Sequence, residues 1–189
     1  MDAAEVKAWR RGERERLIAL RVALPPGERR LAGERITTRI EEILAARTGV
    51  LGVYWPFRAE FDPRPLIDAL TAAGREVALP VVIDKKGPLE YRAWSPGEPL
   101  VAGVWDIPIP EQRKIVVPAM VLAPLVGFDR HCYRLGYGGG YFDRTLAALS
   151  PRPLAIGVGF AAQEIATIYP QPFDIPMDVI VTETAVRWR

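Results

Sequence analysis

The stretch VLGVYWPFRAEFDPRPLIDALTAAGREVALPVVI, residues 50–83, decides the fold. Val50 to Trp55 is a short apolar run bounded by Gly49 and Pro56, and it reads as a buried strand. Pro65 to Ala73 has the pattern of a helix, which Gly74 closes. Val77 to Ile83 is the next strand. A strand, a helix and a strand in that order predict a parallel sheet with crossover connections, hence an α/β architecture.

On the N-terminal side, residues 4–23 place Leu17, Leu20 and Leu24 on one helical face, with Trp9 a further apolar position, and Pro25-Pro26-Gly27 stops the helix. A second helix is expected over 28–47, packed through Leu31, Ile36, Ile40, Ile43 and Leu44 and ended by Thr48-Gly49. On the C-terminal side, 84–87 is a turn and Leu89 to Trp94 a hairpin strand at a sheet edge. Residues 95–110 carry Pro96, Gly97, Pro99, Gly103, Pro108 and Pro110 and read as a long loop, a feature that in compact domains often carries function. Ile115 to Leu122 is apolar, with Pro118 holding back its pairing until Ala119. A helix over 141–149, a strand over 154–160, a short helix or turn over 161–168 and a last strand over 179–182 complete the order. No repeat and no linker divides the chain, so residues 1–189 are expected to form one domain.

Composition narrows the classes. An apolar fraction of 49% excludes a largely disordered chain. A chain of 189 residues is expected to bury roughly 70% of its extended surface, enough to build a core without disulfides or metal. Cys132 is the lone cysteine and His131 the lone histidine, so neither an intramolecular disulfide nor a histidine-based metal cluster is available. The 25 basic and 23 acidic residues leave a net charge of +2, which makes no case for nucleic-acid binding. The basic residues are nearly all arginine, with lysine only at 7, 85, 86 and 114; arginine is a planar, bidentate anion binder, though coding bias gives the same pattern. Asp2, Glu5 and Lys7 do not form a signal peptide, and no run approaches the ~20 apolar residues of a membrane span. A cytoplasmic protein is expected.

The strongest local signal is Arg134-Leu135-Gly136-Tyr137-Gly138-Gly139-Gly140-Tyr141-Phe142-Asp143. Glycines this dense before a helix bring backbone N–H groups close to an anion, and the helix dipole adds to the attraction. Arg134 can pair with phosphate oxygens, and Asp143, in the first helical turn, can cap the helix or hold a metal ion riding on a phosphate. No Lys-Ser/Thr follows the glycines, so this is no Walker A loop, and the alternation at 136, 138 and 140 does not match the dinucleotide fingerprint. The competing reading is a tight turn where helix meets sheet.

Weaker signals lie elsewhere. Lys7 and Arg11 are four apart and can address one anion from one helical face; Arg10 lies beside them, and Glu13 and Glu15 favour an ordinary solvated face instead. Glu60, in the segment after the first strand, can accept hydrogen bonds from an amino-heterocycle between the aromatic surfaces of Trp55, Phe57 or Phe61, or the segment is merely a loop with Asp62 as a helix cap. Trp94, Trp105 and Tyr141 are candidate walls for a flat heteroaromatic group. His131 and Cys132 lack a partner for thiol chemistry, and Asp174 and Asp178 read as a turn and a strand-flanking charge.

The run RLGYGGGYFD at 134–143, preceded by Gly127-Phe128-Asp129, resembles the 5-formyltetrahydrofolate cyclo-ligases, also called methenyltetrahydrofolate synthetases. Lys7 and Arg11 resemble the family's N-terminal K-x-x-x-R. Glu60, Trp105-Asp106-Ile107-Pro108, Gln163 and the tail Asp174 to Glu183 match in order. The resemblance implies a three-layer α/β/α, Rossmann-like domain with a mostly parallel central sheet. It implies ATP- and Mg2+-dependent cyclisation of 5-formyltetrahydrofolate to 5,10-methenyltetrahydrofolate, with ADP and phosphate released. The formyl oxygen attacks the γ-phosphate, N10 attacks the activated carbon, and phosphate leaves. By resemblance Lys7, Arg11, Arg134, Gly136, Tyr137, Gly138, Gly139, Gly140 and Asp143 serve ATP, with Asp143 the Mg2+ carboxylate. Trp55, Glu60, Trp105 and Tyr141 serve the folate, and Arg134, Tyr141 and Lys7 the chemistry. A monomer is expected, a dimer being the alternative.

The chain departs from many relatives at Cys132, where they carry glycine, and at Pro124-Leu125, where they carry proline-glycine. Phe142 stands for tyrosine and Phe173 for histidine, and relatives vary at Tyr137 and Gly139. Two other readings stand beside the cyclo-ligase: a diverged ATP- or folate-binding member without turnover, and a non-enzymatic phosphate-binding interaction module.

Overall fold

Alternation along the central strands sorts this chain into layers, as shown by a computed structural model that describes residues 2–189. Helix α1 spans Ala3–Val22 and α2 Pro26–Leu44; strand β1 is Leu51–Gly52, α3 Arg64–Ala72, β2 Val77–Val82 and β3 Leu89–Ala93. A hairpin of β4 (Leu100–Ala102) and β5 (Pro108–Pro110) precedes β6 (Met120–Pro124). A second hairpin joins β7 (Gly127–Phe128) to β8 (Arg134–Leu135), followed by α4 (Tyr141–Ala148). Strands β9 (Leu154–Val158), β10 (Val179–Val181) and β11 (Val186–Trp188) end the chain.

The seven-stranded sheet runs β11-β10-β9-β6-β1-β2-β3. The five inner strands are parallel, and β3 and β11 are antiparallel edges. Register places Leu51 between Val77 and Met120, and Gly52 between Ala78 and Val121. Successive side chains of a strand face opposite ways. Leu51, Val53, Val77, Leu79, Met120, Leu122, Ile156, Val158, Val179 and Val181 therefore form one bulky face, packed with Ile36, Ile40, Ile43 and Leu44 of α2 and Leu66 and Ile67 of α3. Full burial of each aliphatic side chain contributes about 1.5–3 kcal/mol, which makes this face the main core.

The opposite face carries smaller residues, among them Gly52, Ala78, Ala123, Ala155 and Gly157, and covering elements come close. A Cβ on Gly52 would lie 2.7 Å from the Tyr91 ring, and α4 packs here through Leu146. Helices thus cover both faces. Helix α1 packs separately, through Leu17 against Val126, Leu135 and Ile168. Its start is fixed by a capping box: Asp2 accepts from the Glu5 N–H at 2.9 Å, and Glu5 accepts from the Asp2 N–H at 2.7 Å.

Three expectations change. Leu31, expected to pack α2, is exposed, because the buried face of that helix is set by Ile36, Ile40, Ile43 and Leu44. The segment 95–110 is a hairpin with a 3-10 turn at Val104–Asp106, because its prolines sit at the ends of edge strands, where no ladder donor is needed. Strand β11 was masked by the polar start of the tail: Thr182 turns the chain, its hydroxyl accepting the Ala185 N–H at 3.1 Å. No described helix is long and apolar enough to cross a membrane.

Candidate functional site

Strands β1, β2 and β6 end on one side of the sheet, and a cavity of about 500 Å3 opens beyond them. Ligands of open parallel sheets bind beyond carboxyl ends of strands. One wall comes from Trp55, Phe57 and Glu60 after β1, another from Arg10 and Arg14 of α1. The 134–143 segment forms the third, and Trp105 of the β4–β5 hairpin the outer lip.

The glycine segment is shaped for close backbone approach. Gly138 (φ +98°) and Gly140 (φ +67°) hold left-handed conformations, and Gly140 is the N-cap of α4. The Gly136 carbonyl accepts from Arg14 Nε at 2.6 Å, which brings that guanidinium under the loop. Arg134 is buried, with Nη2 2.9 Å from Asp143 Oδ2 and its guanidinium 5.2 Å from the Phe142 ring centre. Its Nε has no partner. Burial draws the Arg134 guanidinium below its ordinary pKa, and Asp143 works against that shift. The other Asp143 oxygen accepts the Ile175 N–H at 3.1 Å. Arg10 is neutralised by an ion pair with Asp174. Tyr141 stands edge-on to Trp105 at 6.1 Å.

Across the cavity, a turn presents Glu60. Arg58 (φ +47°) and Ala59 (φ +59°) are consecutive left-handed residues with side chains, a strained arrangement of the kind that collects at functional sites. Glu60 Oε2 accepts the Phe57 N–H at 2.9 Å, while its buried Oε1 has no partner. Burial pushes the carboxyl up to about 7; the Arg21 guanidinium, the Phe57 N–H and the Tyr137 hydroxyl pull the other way. Trp55 packs edge-on to Trp94 at 6.0 Å, and Phe57 lies 5.9 Å from Tyr137. The result is a slot with an acceptor inside and aromatic walls.

The structure brings Trp55, Glu60, Trp105, Arg134, Gly136, Tyr137, Gly138, Gly139, Gly140, Tyr141 and Asp143 around one cavity. Lys7 and Arg11 lie outside it: both side chains are exposed, and α1 turns Arg10 and Arg14 inward instead. Seven residues separate Lys7 from Arg14, two turns of helix, so both belong to one basic stripe leading to the cavity. Arg14 and Arg21 are not singled out by the sequence, and Asp174, expected as a turn residue, is the ion-pair partner of Arg10. A helical stripe has no absolute phase until one knows what the helix packs on. Of the departures from relatives, Phe142 and Phe173 line the cavity, and Leu125 fills the space beside Gly157 and Gly159. Cys132 is buried among Leu146 and Met177 behind it. Among the described residues no group of three or more His, Cys, Asp or Glu could hold a metal ion.

Comparison with known proteins gives one answer. The model of the 5-formyltetrahydrofolate cyclo-ligase family matches residues 6–183. The 5-formyltetrahydrofolate cyclo-ligase of Escherichia coli (strain K12) is 31% identical over 176 residues, 88% of this chain and 96% of that protein. The Haemophilus influenzae protein of the same name is 27% identical over 139 residues, 69% of this chain and 74% of its own. The NMR structure of Aquifex aeolicus 5,10-methenyltetrahydrofolate synthetase superposes with a TM-score of 0.81 at 28% identity, covering 95% of this chain and 92% of that one. The Mycoplasma pneumoniae 5,10-methenyltetrahydrofolate synthetase shares the fold, with a TM-score of 0.76 at 21% identity over 92% of this chain and 98% of its own.

Proposed function

The chain belongs to the 5-formyltetrahydrofolate cyclo-ligase family, and we propose that its cavity is where ATP and the folate meet. It is an enzyme that converts 5-formyltetrahydrofolate to 5,10-methenyltetrahydrofolate in an ATP-dependent reaction. One observation supports the site assignment above others: a single cavity joins an arginine- and glycine-lined wall to a buried carboxylate with an unused oxygen between aromatic rings. Those are the needs of a polyphosphate and of a pterin.

In this reading the formyl oxygen attacks the γ-phosphorus and ADP departs. N10 then adds to the activated carbon, and phosphate leaves to give the methenyl bridge. A formyl oxygen is a poor leaving group until phosphorylated, so the protein's work is alignment and charge neutralisation. Arg14, Arg134 and the 136–140 N–H groups address the phosphates, with Lys7 and Arg11 as outer cations on the same helical stripe. Glu60 accepts from the pterin ring, and Trp55, Trp105 and Tyr141 flank it. Tyr141, with Trp105 against its ring, closes the reacting end from water.

Asp143 suits Mg2+: its hard oxygens edge the cavity, and a lone carboxylate plus phosphate oxygens is a usual magnesium ligand set. Bound there, the ion would neutralise charge on the transferred phosphoryl group. The test is near-ultraviolet absorbance of methenyltetrahydrofolate in mixtures of protein, 5-formyltetrahydrofolate and ATP. Asp143→Asn should raise the Mg2+ concentration needed for half-maximal rate, and an unchanged Mg2+ dependence removes Asp143 from that role. Turnover should take place in the absence of any further protein, with folate as the partner and no nucleic acid involved.

A further inference from the structure

Arg21 is the largest fully buried side chain, 1% exposed, and no role in the reaction has so far required it. A buried guanidinium is costly unless its donors are used, and an apolar residue of similar volume would fill the same space. Each of its three nitrogens donates to a segment that builds the cavity. Nε donates to the Arg58 carbonyl at 3.0 Å, in the strained turn before Glu60. Nη1 donates to the Leu125 carbonyl at 3.1 Å, just past the end of β6. Nη2 donates to the Tyr137 hydroxyl at 2.5 Å, inside the glycine segment. One side chain of α1 thus ties the folate wall, the sheet end and the phosphate wall together.

We propose that Arg21 is a positioning residue for the folate: its guanidinium clamps the turn that presents Glu60, holds Tyr137 across from it, and supplies the positive charge facing the Glu60 carboxylate. The proposal rests on the assignment of Glu60 to the pterin. Without the clamp, the two left-handed residues are held only by the Phe57–Glu60 bonds that close the turn, and Glu60 loses its counter-charge and the tie to α1 that fixes its aim. The groups facing Glu60 are few. Arg21 comes from α1, Tyr54 from just after β1 and Tyr137 from the glycine segment. The nearby Arg58 side chain is turned outward over the Phe57 ring. Arg21 is therefore the cation whose removal leaves that carboxylate facing only phenols.

The test is the dissociation constant of 5-formyltetrahydrofolate from pH 5.5 to 9, read by tryptophan fluorescence without ATP, so that the γ-phosphate's titration does not enter. In the wild type, affinity should fall below a break near pH 7. In Arg21→Met the break should move up by about one unit or more, with affinity at pH 7.5 reduced about tenfold. Arg21→Lys keeps the charge and loses the fork, so the break should stay while affinity drops at every pH. A folded Arg21→Met protein with the wild-type break overturns the proposal. If Arg21→Met does not fold, Tyr137→Phe decides: removing the hydroxyl that Arg21 holds should raise the break and weaken binding, and a wild-type profile overturns it. Glu60→Gln separates the two claims. A break that survives Glu60→Gln refutes the pterin assignment itself; a profile flattened by Glu60→Gln but indifferent to Arg21 and Tyr137 refutes only the role of Arg21.

Discussion

Glu60 is held at the expense of the fold, and the sign of that cost can be worked out. Its carboxyl titrates at about 7 in the folded chain against an ordinary 4.5. The folded state therefore holds this proton more tightly than the unfolded state does. Its contribution to stability is full below about pH 4.5, declines as pH rises, and is lost above about 7. The loss is on the order of 3 kcal/mol for a shift of this size. Glu60→Gln stays neutral and has no such slope. Urea unfolding at pH 4.5 and pH 8 should show the variant gaining on the wild type by that order of magnitude, and parallel curves would show that the carboxyl is not buried as described. Arg134 makes the opposite case, a cation kept charged by Asp143. With Arg134 assigned to the phosphates, Arg134→Ala should raise the KM for ATP by about tenfold or more while folate affinity changes little. Near-normal ATP kinetics in a folded variant would remove it from the phosphate site. At this scale the sequence was legible where chemistry is local. Arg134 and Asp143 flank a glycine run that announces itself, and Glu60 follows a strand. Arg14 and Arg21 were not legible, because the face a helix buries depends on Val126, Leu135 and Ile168, far along the chain.

Elements impose their own constraints, most clearly where the β7–β8 hairpin passes into α4. Gly138 and Gly140 hold positive φ, and the segment between Arg134 and Asp143 must turn sharply for those two side chains to meet at 2.9 Å. Alanine at 138 would meet the Arg14 guanidinium at 3.4 Å, ordinary contact, so the penalty there is conformational rather than steric. A left-handed alanine costs about 1–2 kcal/mol. Gly138→Ala should lower the unfolding free energy by that amount and weaken ATP binding more than folate binding. Equal losses for both ligands would mean that the loop serves the whole cavity rather than the phosphates. The same logic explains what periodicity missed. Strand β1 is two residues long by its ladder, yet Val53 continues it with an N–H bonded to the Ala78 carbonyl at 2.9 Å. An apolar run reports burial, and burial extends past the ladder through Tyr54. The β4–β5 hairpin hid because β5 begins and ends on proline and Pro99 directly precedes β4, residues that propensity counts as loop.

For the molecule as a whole, the cavity is assembled from the start, middle and end of the chain: Arg14, Glu60, Trp105, Arg134, Phe173. No one element contains it, so it exists only when α1, the hairpin and the glycine segment are docked on the sheet together. A ligand that spans these walls binds the folded chain and not the unfolded one. Linkage then fixes the size of the effect: at a concentration one hundred times its Kd, a ligand adds about 2.7 kcal/mol to stability. For a chain of this length 1 kcal/mol corresponds to about 2–4 °C at the midpoint, so the Tm should rise by about 5–10 °C. The reading of one cavity for two substrates makes a sharper demand. 5-Formyltetrahydrofolate with a non-hydrolysable ATP analogue and Mg2+ should raise Tm by more than either ligand alone, because each finds the other's wall already in place. Glu60→Gln should remove the folate increment and leave that of the nucleotide; Arg134→Ala should do the reverse. Thermal unfolding across these mixtures checks all four increments. If the two ligands displaced one another, so that the pair stabilised no more than the better of them, the walls would be alternatives within one pocket, and the in-line transfer from ATP to the formyl oxygen would need a different site.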